Sequence, residues 1–106
     1  MKIAVTYQDG DIFQHFGHTE FFKIYDIENT DIVKTEIVST NGSGHGALAQ
    51  FLHEHSVDTL ICGGIGGGAQ MALSQAGIKL YGGVIGKADD AVNDLLNNKS
   101  VSYTHL

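Results

Sequence analysis

The apolar residues of this chain form short strand-like runs up to residue 39 and first take a helical spacing after it, and that change restricts the folds open to it. Residues 2–6, 21–27 and 32–39 are short β-branched or aromatic runs, and the second and third alternate apolar with polar positions. The polar tetrad Glu28-Asn29-Thr30-Asp31 joins those two, which predicts a hairpin. After the Asn41-Gly42-Ser43-Gly44 loop, Ala47, Leu48, Phe51 and Leu52 share one helical face while Gln50, His53 and Glu54 share the other. A helix of about three turns is expected there. Strand and helix then alternate. Residues 59–62 and 78–81 read as strands, 69–76 as a helix stopped by Gly77, and Asp89 and Asp90 open a last helix. Ala88, Ala91, Val92, Leu95 and Leu96 form its buried stripe.

The order βββαβαβα predicts an α/β protein with a five-stranded mixed sheet and helices packed on it. The hairpin sets the second strand antiparallel to the first, and right-handed crossovers bring the later strands parallel to it. That arrangement matches a ribonuclease H-like topology. The 106 residues are expected to form one domain with its core at 2–96 and a loosely held tail at 97–106.

Charge and composition exclude several roles. All six basic residues are lysines, scattered at positions 2, 23, 34, 79, 87 and 99, and the formal net charge is −6. Without a guanidinium or a basic stripe, no nucleic-acid partner is expected. The apolar stretches fall far short of the roughly 20 residues that span a bilayer, so no membrane role follows. Cys62 is the sole cysteine and no basic-plus-apolar leader opens the chain, which reads as cytoplasmic.

Chemistry concentrates in three glycine-containing turns: His15-Phe16-Gly17-His18, Gly44-His45-Gly46, and the run from Gly63 to Gly68. The expected topology gathers the loop after the first strand, the start of the first helix and the turn after the fourth strand at one sheet edge, where open α/β sheets bind ligands. His15, His18, His45 and Cys62 would converge there. The H-x-x-H spacing lets His15 and His18 face one metal; the alternative is that His15 bonds a loop carbonyl while Phe16 plugs the core. His45 precedes a helix, whose dipole keeps an imidazole neutral and its lone pair available, although an ordinary capping contact suits it equally. Cys62 is either a soft thiolate ligand or, as a solitary cysteine more often is, a small buried hydrophobe. His53, His55 and His105 are expected to be solvated.

Other motifs fall away on inspection. Gly64-Ile65-Gly66-Gly67-Gly68-Ala69 fits G-x-G-x-x-A and would aim backbone N–H groups at an anion. Tyr81-Gly82 stands where a ribose-binding carboxylate would end the next strand, and too little chain remains for a second nucleotide-binding half. Residues 82–88 are one short of a phosphate loop and place Ala88 where a Mg²⁺-binding hydroxyl is needed. Ile3-Ala4-Val5 supplies no carboxylate for a ribonuclease H-type metal site. No nucleophile–base relay is legible, so binding or carriage is expected rather than turnover, with no catalytic residue.

Met1-Lys2-Ile3-Ala4-Val5, His15-Phe16-Gly17, Phe22-Lys23-Ile24-Tyr25-Asp26, Gly44-His45-Gly46-Ala47, residues 58–70 and Ala76-Gly77-Ile78 together resemble the dinitrogenase iron-molybdenum cofactor biosynthesis, or NifX-like, domain family. The resemblance runs from Lys2 to Leu96. It implies a ribonuclease H-like domain that carries iron-sulfur or iron-molybdenum clusters, or their precursors, between donor and acceptor assembly proteins. The histidine of the His-Phe-Gly motif carries over to His15 as principal ligand. His18 replaces a residue that is usually basic in the family, and Gly67 stands where proline is common. The cofactor-binding set is therefore His15, Gly17, His18, His45, Gly64, Gly66 and Gly67, with His15, His18 and His45 as metal ligands and backbone N–H groups on the cluster's sulfides. Reversible carriage suits a few imidazoles better than four thiolates. The competing reading is a small-anion or nucleotide-like ligand on the Gly63 to Gly68 turn, or an adaptor acting without metal. Oligomeric state stays open: residues 32–39 suit a strand paired between chains or a solvated edge.

Overall fold

The change of hydrophobic period is also the change of architecture. A computed structural model describes residues 1–41, 45–97 and 104–105, with 45–46 and 104–105 described by backbone alone. The first half is β1 (Lys2–Gln8), β2 (Asp11–Ile12), a 3-10 turn at Phe16–His18, β3 (Phe21–Glu28) and β4 (Asp31–Ser39). The second half alternates α1 (His45–Glu54), β5 (Thr59–Ile61), α2 (Gly67–Gln75), β6 (Lys79–Gly82) and α3 (Ala88–Leu96), and ends in β7 (Thr104–His105).

The strands form one mixed sheet in the order β4-β3-β1-β5-β6-β7, with β2 beside β1. β3 is antiparallel to β1 and β4, and β5 is parallel to β1 and β6. All five expected strands are present, but the count among the described residues is seven. The additions are two-residue strands, too short to carry a period in sequence. β2 exists because Asp9 and Gly10, with φ of 50° and 91°, turn the chain back onto β1. β7 pairs antiparallel to β6 within the segment expected to be a loose tail; residues 98–103 and 106 lie outside the described residues.

The expected four-residue connection between β3 and β4 is tighter than its composition suggests. Asn29 and Thr30 both adopt left-handed backbone, φ 51° and 71°, so Glu28 and Asp31 pair as strand residues. A register shift at Asp26/Ile27 bends β4 near its start.

Alternation along β1 divides the core between the two sheet faces. Ala4 joins Phe22, Ile24, Leu60 and Cys62 beneath α1 and α2, whose Leu48, Leu52 and Leu73 close that side. Ile3 and Val5 join Tyr25, Ile61 and Tyr81 beneath α3, through Ala88, Ala91 and Val92. Within α1 the buried stripe is Leu48, Ala49 and Leu52; Ala47, expected on that face, is exposed. No helix among the described residues is long and apolar enough to cross a membrane.

A polar link ties α3 to the sheet. Lys23 Nζ lies 2.8 Å from Asp89 Oδ1, and the Tyr25 hydroxyl donates to the same oxygen at 2.6 Å. The Lys23 and Tyr25 hydrogen bonds hold the Asp89 carboxyl below its usual range, while burial and Asp89 push the Tyr25 phenol far above its own. Because the folded state binds the Asp89 proton more weakly than the unfolded chain, this stability is present at neutral pH and is lost as the carboxylate protonates in acid. Asp89→Asn is therefore expected to cost about 1 kcal/mol at pH 7. The difference from wild type should close below about pH 4, as read from urea unfolding midpoints across pH.

Candidate functional site: the His15 loop against the Gly63-Gly64 turn

The loop after β2 is built as a short extra strand on the end of β5. His15 forms an isolated parallel bridge with Gly64: the Gly64 N–H donates to the Gln14 carbonyl at 2.7 Å, and its carbonyl accepts from the Phe16 N–H at 3.0 Å. The approach leaves no room for a side chain at the preceding residue. A Cβ on Gly63 would lie 2.6 Å from Gln14 Cα and 2.7 Å from its amide carbon. Gln14 then fastens a third segment, its Nε2 donating to Ile12 O at 3.0 Å and Val84 O at 3.1 Å. Gly83 and Val84 donate back to Gly63 and Cys62. Three stretches distant in sequence, 12–16, 62–64 and 83–84, thus form one rigid platform.

On that platform Phe16 turns inward, 1% exposed and against Phe22 at 6.4 Å, while the His15 and His18 rings remain at the surface. The plug expected of Phe16 is present. The His15 carbonyl, not its ring, takes the loop's internal bonds, from the His18 N–H at 3.0 Å and the Thr19 hydroxyl at 3.4 Å. The His15 imidazole instead stands edge-on to Phe13 at 6.1 Å. Gly17 is half-buried within the turn, and α1 packs beside it.

Two residues beyond Gly64, α2 begins with Gly66 as an N-cap that has no side chain to offer. The N–H groups of Gly67, Gly68 and Ala69 have no backbone acceptor among the described residues, as expected of a first helical turn. A Cβ on Gly66, Gly67 or Gly68 would meet nothing within 4 Å, and all three glycines are exposed. The sequence expectation needs one correction here: the N–H of Gly64 is engaged by Gln14 and cannot serve a ligand.

The remaining sites divide clearly. Gly44 and the side chains of His45 and His105 lie outside the described residues. Cys62 is fully buried in the core beneath α1 and α2, and burial pushes its thiol up to about 12, so it packs as a hydrophobe. His53 is exposed, but His55 is not the solvated residue expected. Its Nδ1 lies 2.8 Å from Phe51 O and its ring stacks on Phe51 at 4.3 Å. Lys87, the residue of the incomplete phosphate loop, pairs with Asp11 at 2.7 Å. Among the described residues no three His, Cys, Asp or Glu side chains are grouped to hold a metal ion.

Sequence reasoning missed two features. Gln14 is the clamp of the platform, and an isolated glutamine beside a histidine carries no signal of that. A cleft of about 350 Å³, lined by Tyr7, Asp9, Phe13, Glu20, Phe21 and Ile37, opens beside the Phe13 ring against which His15 packs. Its walls come from β1, β3, β4 and the intervening loop, a combination visible only after folding.

Residues 1–98 match the dinitrogenase iron-molybdenum cofactor family. The chain belongs to that family. A protein of Methanocaldococcus jannaschii, the uncharacterized MJ0580, is 30% identical over 104 residues, covering 93% of this chain and 88% of its own. The crystal structure of PH0822 superposes with a TM-score of 0.90 at 28% identity, over 97% of this chain and 96% of that one. The apo form of the orange protein of Desulfovibrio gigas gives 0.80 at 28% identity, over 97% and 92%.

Gly63→Ala is expected to force the 12–16 loop off the turn and to lower stability by about 1–3 kcal/mol, read from chemical unfolding. Native Cys62 should alkylate at least about 100-fold more slowly than the thiol of the urea-unfolded chain at pH 8, since its thiolate is suppressed and its sulfur enclosed.

Proposed function

We propose that this protein binds and carries an iron-sulfur or iron-molybdenum type cluster, or a precursor of one, during metallocofactor assembly. The observation that carries the reading is the His15–Gly64 bridge. It sets an exposed imidazole on a rigid backbone next to the open N–H groups that begin α2. A sulfide-bearing anionic cluster needs both kinds of partner, a metal ligand for its iron and hydrogen-bond donors for its sulfides. His15 supplies the principal bond, His18 or His45 a second, and Gly66 and Gly67 contribute backbone contacts, with Gly17 allowing the turn that presents them.

The donor set fits cargo better than a resident metal. Exposed imidazoles without a grouped third ligand leave coordination positions for a donor or acceptor protein to fill, so transfer proceeds by ligand exchange. Family membership supports a role in cofactor handling, and assembly proteins are the partners we propose. The sheet order, with the antiparallel strands on one side of β1 and the parallel strands on the other, we read as ribonuclease H-like. We place the carrier in the cytoplasm as a single domain, where a solitary buried thiol stays reduced.

A second reading rests on one observation of its own. The uncapped first turn of α2 suits a small anion with no metal involved. The two readings part on His15→Ala. Anaerobic reconstitution with iron, sulfide and molybdate is expected to give wild type a visible chromophore and stoichiometric metal. His15→Ala should lose at least about tenfold in bound metal. Its unfolding midpoint should hold within about 0.5 kcal/mol, because the ring is exposed. Equal metal content in both proteins would overturn the His15 assignment, and retained sulfate or phosphate binding in the variant would favour the anion site.

A further inference from the structure

β4 ends the sheet, and nothing among the described residues pairs with its outer side. It is nine residues long, and residues 33–37 are exposed, with Val33 and Ile37 each 54% accessible. The direction of its free backbone groups follows from the hairpin. The Thr40 N–H donates to Glu20 O toward β3, and because strand residues alternate, the N–H and C=O of Ser39, Ile37 and Thr35 point outward.

We infer that β4 pairs antiparallel with β4 of a second copy of this chain, on a two-fold axis through Thr35. In this register Thr35 faces Thr35 of the partner subunit, and the two exchange both backbone hydrogen bonds. Lys34 then lies opposite Glu36 of the partner subunit, and Glu36 opposite Lys34 of the partner subunit. This pairing is regular over residues 34–36, because the register shift at Asp26/Ile27 places Val33 where the alternation of β4 is interrupted. Both charged residues within the 34–36 span find an opposite charge. Neither Lys34 nor Glu36 forms an ion pair within its own chain among the described residues.

The neighbouring registers are rejected by the same residues. An axis through Lys34 sets lysine against lysine, and one through Glu36 sets glutamate against glutamate, both unfavourable directly across a ladder. A slip of one residue would oppose inward-pointing with outward-pointing backbone groups. A perpendicular two-fold keeps corresponding faces together, producing one continuous sheet through both copies with both α3 helices on the same side. The pairing also approaches the cleft, since Ile37 is part of its wall.

Charge reversal tests the register without disturbing the core, because both charged residues are exposed. Sedimentation of wild type at up to about 1 mM chain is expected to show a dimer that weakens with salt. Lys34→Glu alone and Glu36→Lys alone each turn both cross-pairs into like charges and should weaken association by at least about tenfold. Mixing the two single variants restores both opposite-charge pairs, so a heterodimer of wild-type strength should form. Unchanged far-ultraviolet circular dichroism checks that each variant is folded. A monomeric wild type across that range would overturn the proposal. So would a dimer indifferent to single reversal, or single variants that fail to associate when mixed.

Discussion

The close contact of Gly63 and Gly64 with the backbone of Gln14 governs how the rest of this molecule is used. Two consecutive residues without side chains let a surface loop approach the end of a central strand as another strand would. Backbone hydrogen bonds then replace the buried apolar contacts that usually fix a loop. Phe16 is drawn into the core by that approach, and His15 and His18 are held outward by the same turn. A larger residue at position 63 would remove the seat of the histidines rather than the histidines themselves.

The platform sits at an end of the sheet where strands of both directions meet. β1 runs into the loop that carries His15, and β5, parallel to it, runs into the glycine turn, so both present their carboxyl ends to one place. The open first turn of α2 emerges there too. The fold therefore concentrates an electropositive helix end and two exposed imidazoles on a chain whose overall charge is −6. The potential at this end of the sheet is thereby set apart from that of an otherwise acidic chain.

Much of the architecture was legible in the sequence because it depends on periodicity. The alternation of residues 21–27 and 32–39, the stripe of α3 and the strand-helix alternation after residue 59 each reflect a face that must be buried. What escaped depends on contacts between distant residues. Gln14 owes its role to carbonyls at Ile12 and Val84, and the engagement of the Gly64 N–H depends on a loop 50 residues earlier in the chain. The position of His55 near the end of α1 reads as solvated, yet stacking on Phe51 makes it part of the packing. Ala47 and Ala49 show the limit of a period argument at a helix start, where one residue's rotation decides which small side chain is covered. The strands of two residues, β2 and β7, are created by pairing and have no signature of their own.

The Gln14 amide reaches across 70 residues of sequence to Val84. During synthesis the first 18 residues, with both candidate histidines, leave the ribosome long before the strand ends that seat them. Until residue 84 is available, the amide has only its local partner and the glycine turn has no strand to receive it. The native geometry of the histidine loop therefore depends on completion of the sheet. A chain that lacks residue 84 would keep both imidazoles but lose one of the carbonyls to which Gln14 is fastened.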